Sequence, residues 1–204
     1  MGSKYKFVCG VGINDAGYSI NPSINGRRKM CKFYECWSDM VKRCYSENTH
    51  KKFPTYSNCS VCSDWLLFSV FKKWMEKQDW KGKQIDKDLK NLGNKVYSPE
   101  NCMFVSSHIN SLLIDSKKAR GALPQGVYFH KREGKYRAQV SNYGKQRIIG
   151  SFNCPRIAEL AYLNEKLKIV IEVSKNETEE ISAALLKHAN LILKEITGKT
   201  TLTK

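Results

Sequence analysis

Cys59 and Cys62, in the segment CSVC, have the spacing of half a zinc site, and Cys31, Cys36 or Cys44 are the partners that would complete it. No second C-x-x-C pair answers the first. Cys36 and Cys44 also fit the buried face of a helix, where a free thiol behaves as a small hydrophobe. Zinc ligation and thiol packing are therefore both open to this pair. A disulfide framework is not, because eight cysteines in 204 residues without an export signal suit reduced thiols.

The second source of chemistry is charge. Thirty-five Lys and Arg against 19 Asp and Glu leave a formal charge of +16. An excess of that size points to a polyanionic partner, because cations that neutralise phosphates release condensed counterions. Nucleic acid is favoured over membrane. No apolar run approaches the roughly 20 residues that span a bilayer, and the polar opening MGSKYKFVCG reads as no export signal. A cytoplasmic protein with no membrane partner is expected.

These groups must be held by folded elements, and the periodicity indicates which. Residues 1–30 read as an N-terminal basic arm or short hairpin with Arg27, Arg28 and Lys29 as its cationic cluster. Tyr34, Trp37, Val41 and Cys44 recur at helical spacing and predict an amphipathic helix over 32–45. SENTHKKFPTYSN reads as a polar loop. A second helix follows, with Ser63 as N-cap and Trp65, Phe68, Phe71 and Trp74 or Met75 as a core stripe. KQIDKDL and NCMFVS read as strands around a turn-rich loop, and SHINSLLIDSKKA as a helix. Asp86 at a hairpin start and Asn110 in a helix suit turn and cap roles.

The segment 119–125, ARGALPQ, reads as a linker and domain boundary. Beyond it the period changes to two, predicting strands at 127–131, 135–141 and 145–151. A helix over 155–170 follows, with Ile157, Leu160, Ala161 and Leu167 on one face. A final amphipathic helix over 176–197 carries Asn176 and Glu179 as a capping pair. The fold class is α+β. The expected divisions are 1–30, 31–118, 119–172 and a C-terminal helix within 173–204.

Two segments carry a family resemblance. FYECWSDMVKRCYS, VCSDWLLFSVFKKW, IDKDL and GNKVYSPENCMFV, ending in Ile109 and Asn110, resemble phage HNH homing endonucleases over roughly residues 31–116. GVYFHKREGKYRAQVSNYGKQRIIGSFNCPRIAELAY resembles the Apetala-two, or ethylene-response-factor, DNA-binding domain, with Tyr136 in place of the usual tryptophan. The first resemblance implies a ββα finger with flanking helices. Its aspartate ligates a metal, the following histidine is the general base, and an Asn or His on the helix is the second ligand. Those positions here are Asp86, Lys87 and Asn110, with Asn101 as the asparagine that braces the loop.

A base that activates water must be neutral near pH 7, and a lysine is not. A protonated Lys87 opposes a neighbouring cation and suits a phosphate grip instead. His108 lies one helical turn from the expected geometry, and His50 or Tyr56 would be a replacement base or nucleophile. No catalytic residue is therefore assigned. Mg²⁺ on Asp86 and Asn110 is expected only if cleavage survives, and no cofactor otherwise.

The second resemblance implies a three-stranded sheet laid in the major groove of double-stranded DNA. Alternation puts Tyr128, His130, Arg132, Lys135, Arg137, Gln139, Lys145 and Arg147 on or near the exposed face. Val127, Phe129, Tyr136, Ala138, Val140, Ile148 and Phe152 then pack toward the helix or flank it. The resemblances together imply a sequence-specific DNA-binding protein of homing-endonuclease lineage, encoded by a phage or mobile element in a bacterial cell. It would act by occupancy as a transcriptional repressor, the alternative being an active divalent-metal-dependent nuclease. A homodimer is compatible with the sequence, which does not fix the oligomeric state.

Overall fold

The computed structural model describes residues 6–114 and 121–201. It is a mixed α+β structure that divides into two compact units, Met1–Val105 and Ser106–Lys204. The division between these units falls before the helix at 107. Part of the 115–125 stretch lies outside the described residues.

In the first unit, hairpin β1 (Lys6–Val8) and β2 (Gly12–Asn14) is followed by hairpin β3 (Ser23–Ile24) and β4 (Arg27–Arg28). Within residues 6–30 the chain forms two hairpins, the second carrying the Arg27–Arg28 strand. Val8, Val11, Ala16 and Ile20 pack on the unit's core, and the Asp15 carboxylate accepts from the Ser69 amide at 2.9 Å. Helix α1 (Lys32–Tyr45) buries Trp37, Met40, Val41 and Cys44, the face its periodicity marks. Each large apolar side chain so buried contributes about 1.5–3 kcal/mol.

Helix α2 (Glu47–Lys52) and a 3₁₀ turn at Pro54–Tyr56 stand where the sequence suggests a loop. The Ser46 hydroxyl caps α2 by accepting from Thr49 N at 3.4 Å. This helix buries no residue, so it leaves no apolar periodicity to read.

Strand β5 (Ser60–Val61) leads to a 3₁₀ turn at Ser63–Leu66 and then to α3 (Phe68–Met75). Ser63 is not the cap of α3; its hydroxyl turns to the Asp64 carboxylate at 3.3 Å. Trp65, Phe68, Phe71 and Met75 are buried, and the Trp37 indole donates to the Trp65 carbonyl at 2.7 Å. Strands β6 (Gln84–Asp86), β7 (Val96–Tyr97) and β8 (Met103–Val105) complete the unit. β6 pairs with β8 antiparallel, whereas β7 runs parallel to β5.

The second unit opens with α4 (Ser107–Leu113), capped by the Ser106 hydroxyl, which accepts from Ile109 N at 3.2 Å. Strands β9 (Val127–His130), β10 (Lys135–Asn142) and β11 (Lys145–Phe152) form an antiparallel sheet with β10 central. Helix α5 (Pro155–Ser174) covers one face of the sheet and α6 (Glu179–Thr201) packs on α5.

α5 buries Ala158, Tyr162, Leu163, Ile169, Val170 and Val173, while Ile157, expected inside, is exposed. A helix covered by a sheet on one side and a helix on the other is apolar around much of its circumference, so a single stripe misplaces its inner face. Asn176 does not cap α6; its amide donates back to the Glu172 carbonyl at 3.3 Å. Among the described residues no helix is long and apolar enough to cross a membrane.

Gly126 enters β9 with φ +73, and a Cβ there would lie 2.1 Å from the Tyr162 ring. Both the backbone and the space demand glycine. Gly126→Ala is expected to cost roughly 2–4 kcal/mol, read as a lower urea midpoint, and wild-type stability would contradict this packing.

Candidate nucleic-acid interface

In the loop after β6, the Asp86 carboxylate accepts from the amides of Asp88 and Leu89 at 2.8 and 2.6 Å. It is a turn-closing group. Burial pushes its carboxyl above the usual range, against those two amides, which favour the ionised form.

Lys87 is 4% exposed. Its ammonium donates to both Asp88 oxygens at 2.7 Å and to the Asn94 carbonyl at 2.9 Å. Asn94 answers by donating to the Lys87 carbonyl at 2.9 Å, and the Tyr97 ring lies 5.8 Å from the ammonium. An ammonium has three donors, and all three are used. Lys87 is therefore a buried brace, and the expected phosphate grip is corrected: it has no donor to offer. Asn101 braces the same loop by accepting from Asn91 at 3.0 Å.

Asp86, with one oxygen on two amides and a buried ammonium next in sequence, does not fit a divalent cation. Asn110 belongs to α4 in the second unit. Among the described residues no group of three His, Cys, Asp or Glu side chains is gathered around a metal-sized space.

The cysteines sit mainly in packing. Cys44, Cys59 and Cys102 are buried, and the Cys59 thiol points to the Thr55 carbonyl at 3.8 Å. Burial pushes the thiols of Cys36, Cys44 and Cys102 up to about 12. Cys62 is half-buried, and burial raises its thiol as well, against backbone amides of Trp65 and Asp64.

The remaining candidate bases have other roles. His50 Nε2 lies 3.0 Å from the Arg43 carbonyl, and Tyr56 sits under the Arg43 guanidinium. His108 stacks on Tyr143 with ring centroids 3.7 Å apart, and burial lowers its pKa.

The second unit's sheet supplies a cationic face. Cross-strand register sets Tyr128 against Arg137 and His130 against Lys135. It sets Arg137 against Ser151, Gln139 against Ile148 and Ser141 against Gln146. These side chains share the face away from α5. On the opposite face Val127, Ala138 and Val140 are buried. Tyr136 and Phe129 pair there with ring centroids 5.1 Å apart, although Phe129 at the sheet's margin stays exposed.

The expected faces of β11 need correction. Ala138 pairs with Gly150 and Gln139 with Ile148, so Ile149 is an extra residue and β11 carries a bulge. Strict alternation from Phe152 puts Ile148 inside and Lys145 and Arg147 outside. The bulge reverses this half of the strand. Ile148 is 52% exposed opposite Gln139, and Arg147 lies opposite Val140 with its guanidinium on Glu165 of α5. Lys145 is exposed beside the hairpin turn, in the register of Asn142.

Glu133, in the β9–β10 turn, organises the outer face. The Arg137 guanidinium pairs with its carboxylate, with Nε at 3.3 Å, while His130 Nδ1 lies 3.6 Å away and the Ser151 hydroxyl 3.5 Å. Arg137 holds the Glu133 carboxyl below the usual carboxylate range. Arg132 is exposed in the same turn. In the first unit, Arg27, Arg28 and Lys29 are exposed at the β3–β4 hairpin. Gln146 and Ile148 are the face residues that alternation misses, and no residue pattern in β11 marks the bulge that exposes them.

Two outcomes test these assignments. Lys87→Ala leaves a carboxylate and a carbonyl without their donor and is expected to destabilise the first unit by about 1–3 kcal/mol, measured by urea unfolding; an unchanged midpoint would contradict the brace. A thiol reagent followed by mass spectrometry should label exposed Cys9 first and Cys44, Cys59 and Cys102 last, and the reverse order would overturn the packing assignment. Compared with known proteins, the chain matches no family model, no curated protein and no solved structure.

Proposed function

We propose that the chain is a sequence-specific double-stranded DNA-binding protein that acts by occupancy, as a transcriptional repressor does. The observation that carries this reading is the outer face of the second unit's sheet. Tyr128, His130, Lys135, Arg137, Gln139 and Gln146 present cations, amides and a phenol on one pleated surface of a chain with formal charge +16. A guanidinium pairs bidentately with guanine and a glutamine amide with adenine, so such a face suits major-groove edges. Exposed Arg27, Arg28, Lys29, Arg132 and Lys145 suit phosphates.

The resemblances to Apetala-two domains and phage homing endonucleases fit this reading. The occupancy element rests on residue 87. Where that family carries its base, this chain carries a lysine whose three donors are engaged by Asp88 and Asn94. Incubating target plasmid with Mg²⁺ or Mn²⁺ should leave it intact; cleavage would instead favour the nuclease reading.

Glu133 adds a discriminating element. Its carboxylate orients the Arg137 fork in advance and repels any phosphate that does not release it. Binding to a target selected from random duplexes should fall with a log–log salt slope of about −5 to −7, for six to eight phosphate contacts. A slope near zero would sink the DNA reading. Arg137→Ala should lose about 1–3 kcal/mol of target over random-sequence binding. Arg147→Ala, whose guanidinium faces α5, should leave that ratio unchanged, and the opposite ranking would reject the bulged register.

A further inference from the structure

A cleft of about 340 Å³ opens in the first unit, lined by Asp39, Lys42, Arg43, Thr49, Phe53 and Tyr56. α1 supplies the first three residues, and α2 with the 3₁₀ turn after it supplies the others. Arg43 is the unusual member. Its guanidinium lies 5.9 Å over the Tyr56 ring and bonds the hydroxyl of Tyr97, a residue that is itself buried.

Among the described residues no carboxylate pairs with Arg43. Asp39, one turn earlier on the same cleft, holds Lys42 instead at 3.2 Å. A half-buried guanidinium with only phenols and a ring for company is short of an anion. Beside it on the cleft wall, Phe53 is 57% exposed, so its side chain is open to a ligand. Thr49 adds a hydroxyl to the same wall.

A planar cation that matches a phosphate, an ammonium, a hydroxyl and an open aromatic ring together fit a phosphate joined to a planar base. We propose that this cleft binds a nucleotide, its phosphate on Arg43 and Lys42 and its base stacked on Phe53. The site lies in the other unit from the sheet and does not depend on the sheet's reading of DNA. A free nucleotide and an unpaired nucleotide of a strand share this chemistry.

The test is an amide-shift titration of the isotope-labelled full chain with dAMP, deoxyadenosine, inorganic phosphate and single-stranded oligodeoxyadenylate. dAMP is expected to shift amides within 39–56, and to bind there at least about fivefold more weakly in Phe53→Ala, since a stacked base is worth about 1–3 kcal/mol. Phe53 is exposed, so that variant keeps its fold; Arg43→Gln should also lose the response. Deoxyadenosine and phosphate should each bind the segment more weakly than dAMP.

An oligonucleotide that binds there more tightly than dAMP identifies the strand as the source, and equal affinity identifies the free nucleotide. The proposal is overturned if neither dAMP nor the oligonucleotide shifts 39–56, if Phe53→Ala binds dAMP as wild type does, or if phosphate alone binds as tightly as dAMP. Loss of the duplex salt slope with this response intact would remove the sheet reading and leave the cleft standing.

Discussion

Between Gly150 and Ile148, β11 carries one residue more than β10 can pair, and the side-chain alternation of the strand reverses at that point. What β11 shows to solvent depends on this offset. It turns the exposed Arg147 side chain to Glu165 on the α5 side and brings Ile148 out beside Gln139. It also lets one strand meet two demands. Its C-terminal half pairs Phe152 with Tyr136 on the helix side, and its N-terminal half extends Gln146 and Ile148 along the outer face. A regular ladder would put an isoleucine on the α5 side, where a guanidinium now meets a carboxylate.

Ion pairs in the second unit are sorted by face. Glu165 takes Arg147 and lies 3.5 Å from Lys168, and Glu159 takes Lys199, tying α6 to α5. On the outer face Glu133 alone gathers Arg137 and His130. Exposed pairs of this kind add little stability, typically about 0–1 kcal/mol. Their contribution is orientation. The guanidinium of Arg137 is held in one direction by its carboxylate and by the Tyr128 hydroxyl, rather than left to its many rotamers.

The strongly periodic elements were legible in the sequence. Helix α1 spans Lys32–Tyr45, and the three strands of the second unit lie within about a residue of their expected bounds. Trp37, Trp65, Phe68 and Phe71 are core, as their helical spacing implies. What was not legible depends on contacts that leave no local pattern. α2 buries nothing, β7 is two residues long and pairs with a strand 36 positions earlier, and α5 is covered on two sides. At the candidate sites, the cationic face was visible as composition, but the bulge that chooses its members was not. Lys87 stood out as a chemical misfit; its partner Asn94, seven residues on, did not.

The brace at Lys87 makes that position dependent on its neighbours. Three acceptors converge at the end of a buried four-carbon stem, two of them on the half-exposed Asp88 carboxylate. Arginine is larger and planar, and histidine offers two donors at a shorter reach, so either would strand an acceptor or crowd Tyr97. A change at 87 therefore costs least when Asp88 or Asn94 changes with it. The loop is a ratchet: drift at any one of the three residues is held back by the other two, and a lysine once seated there is retained for its packing, whatever the chain binds.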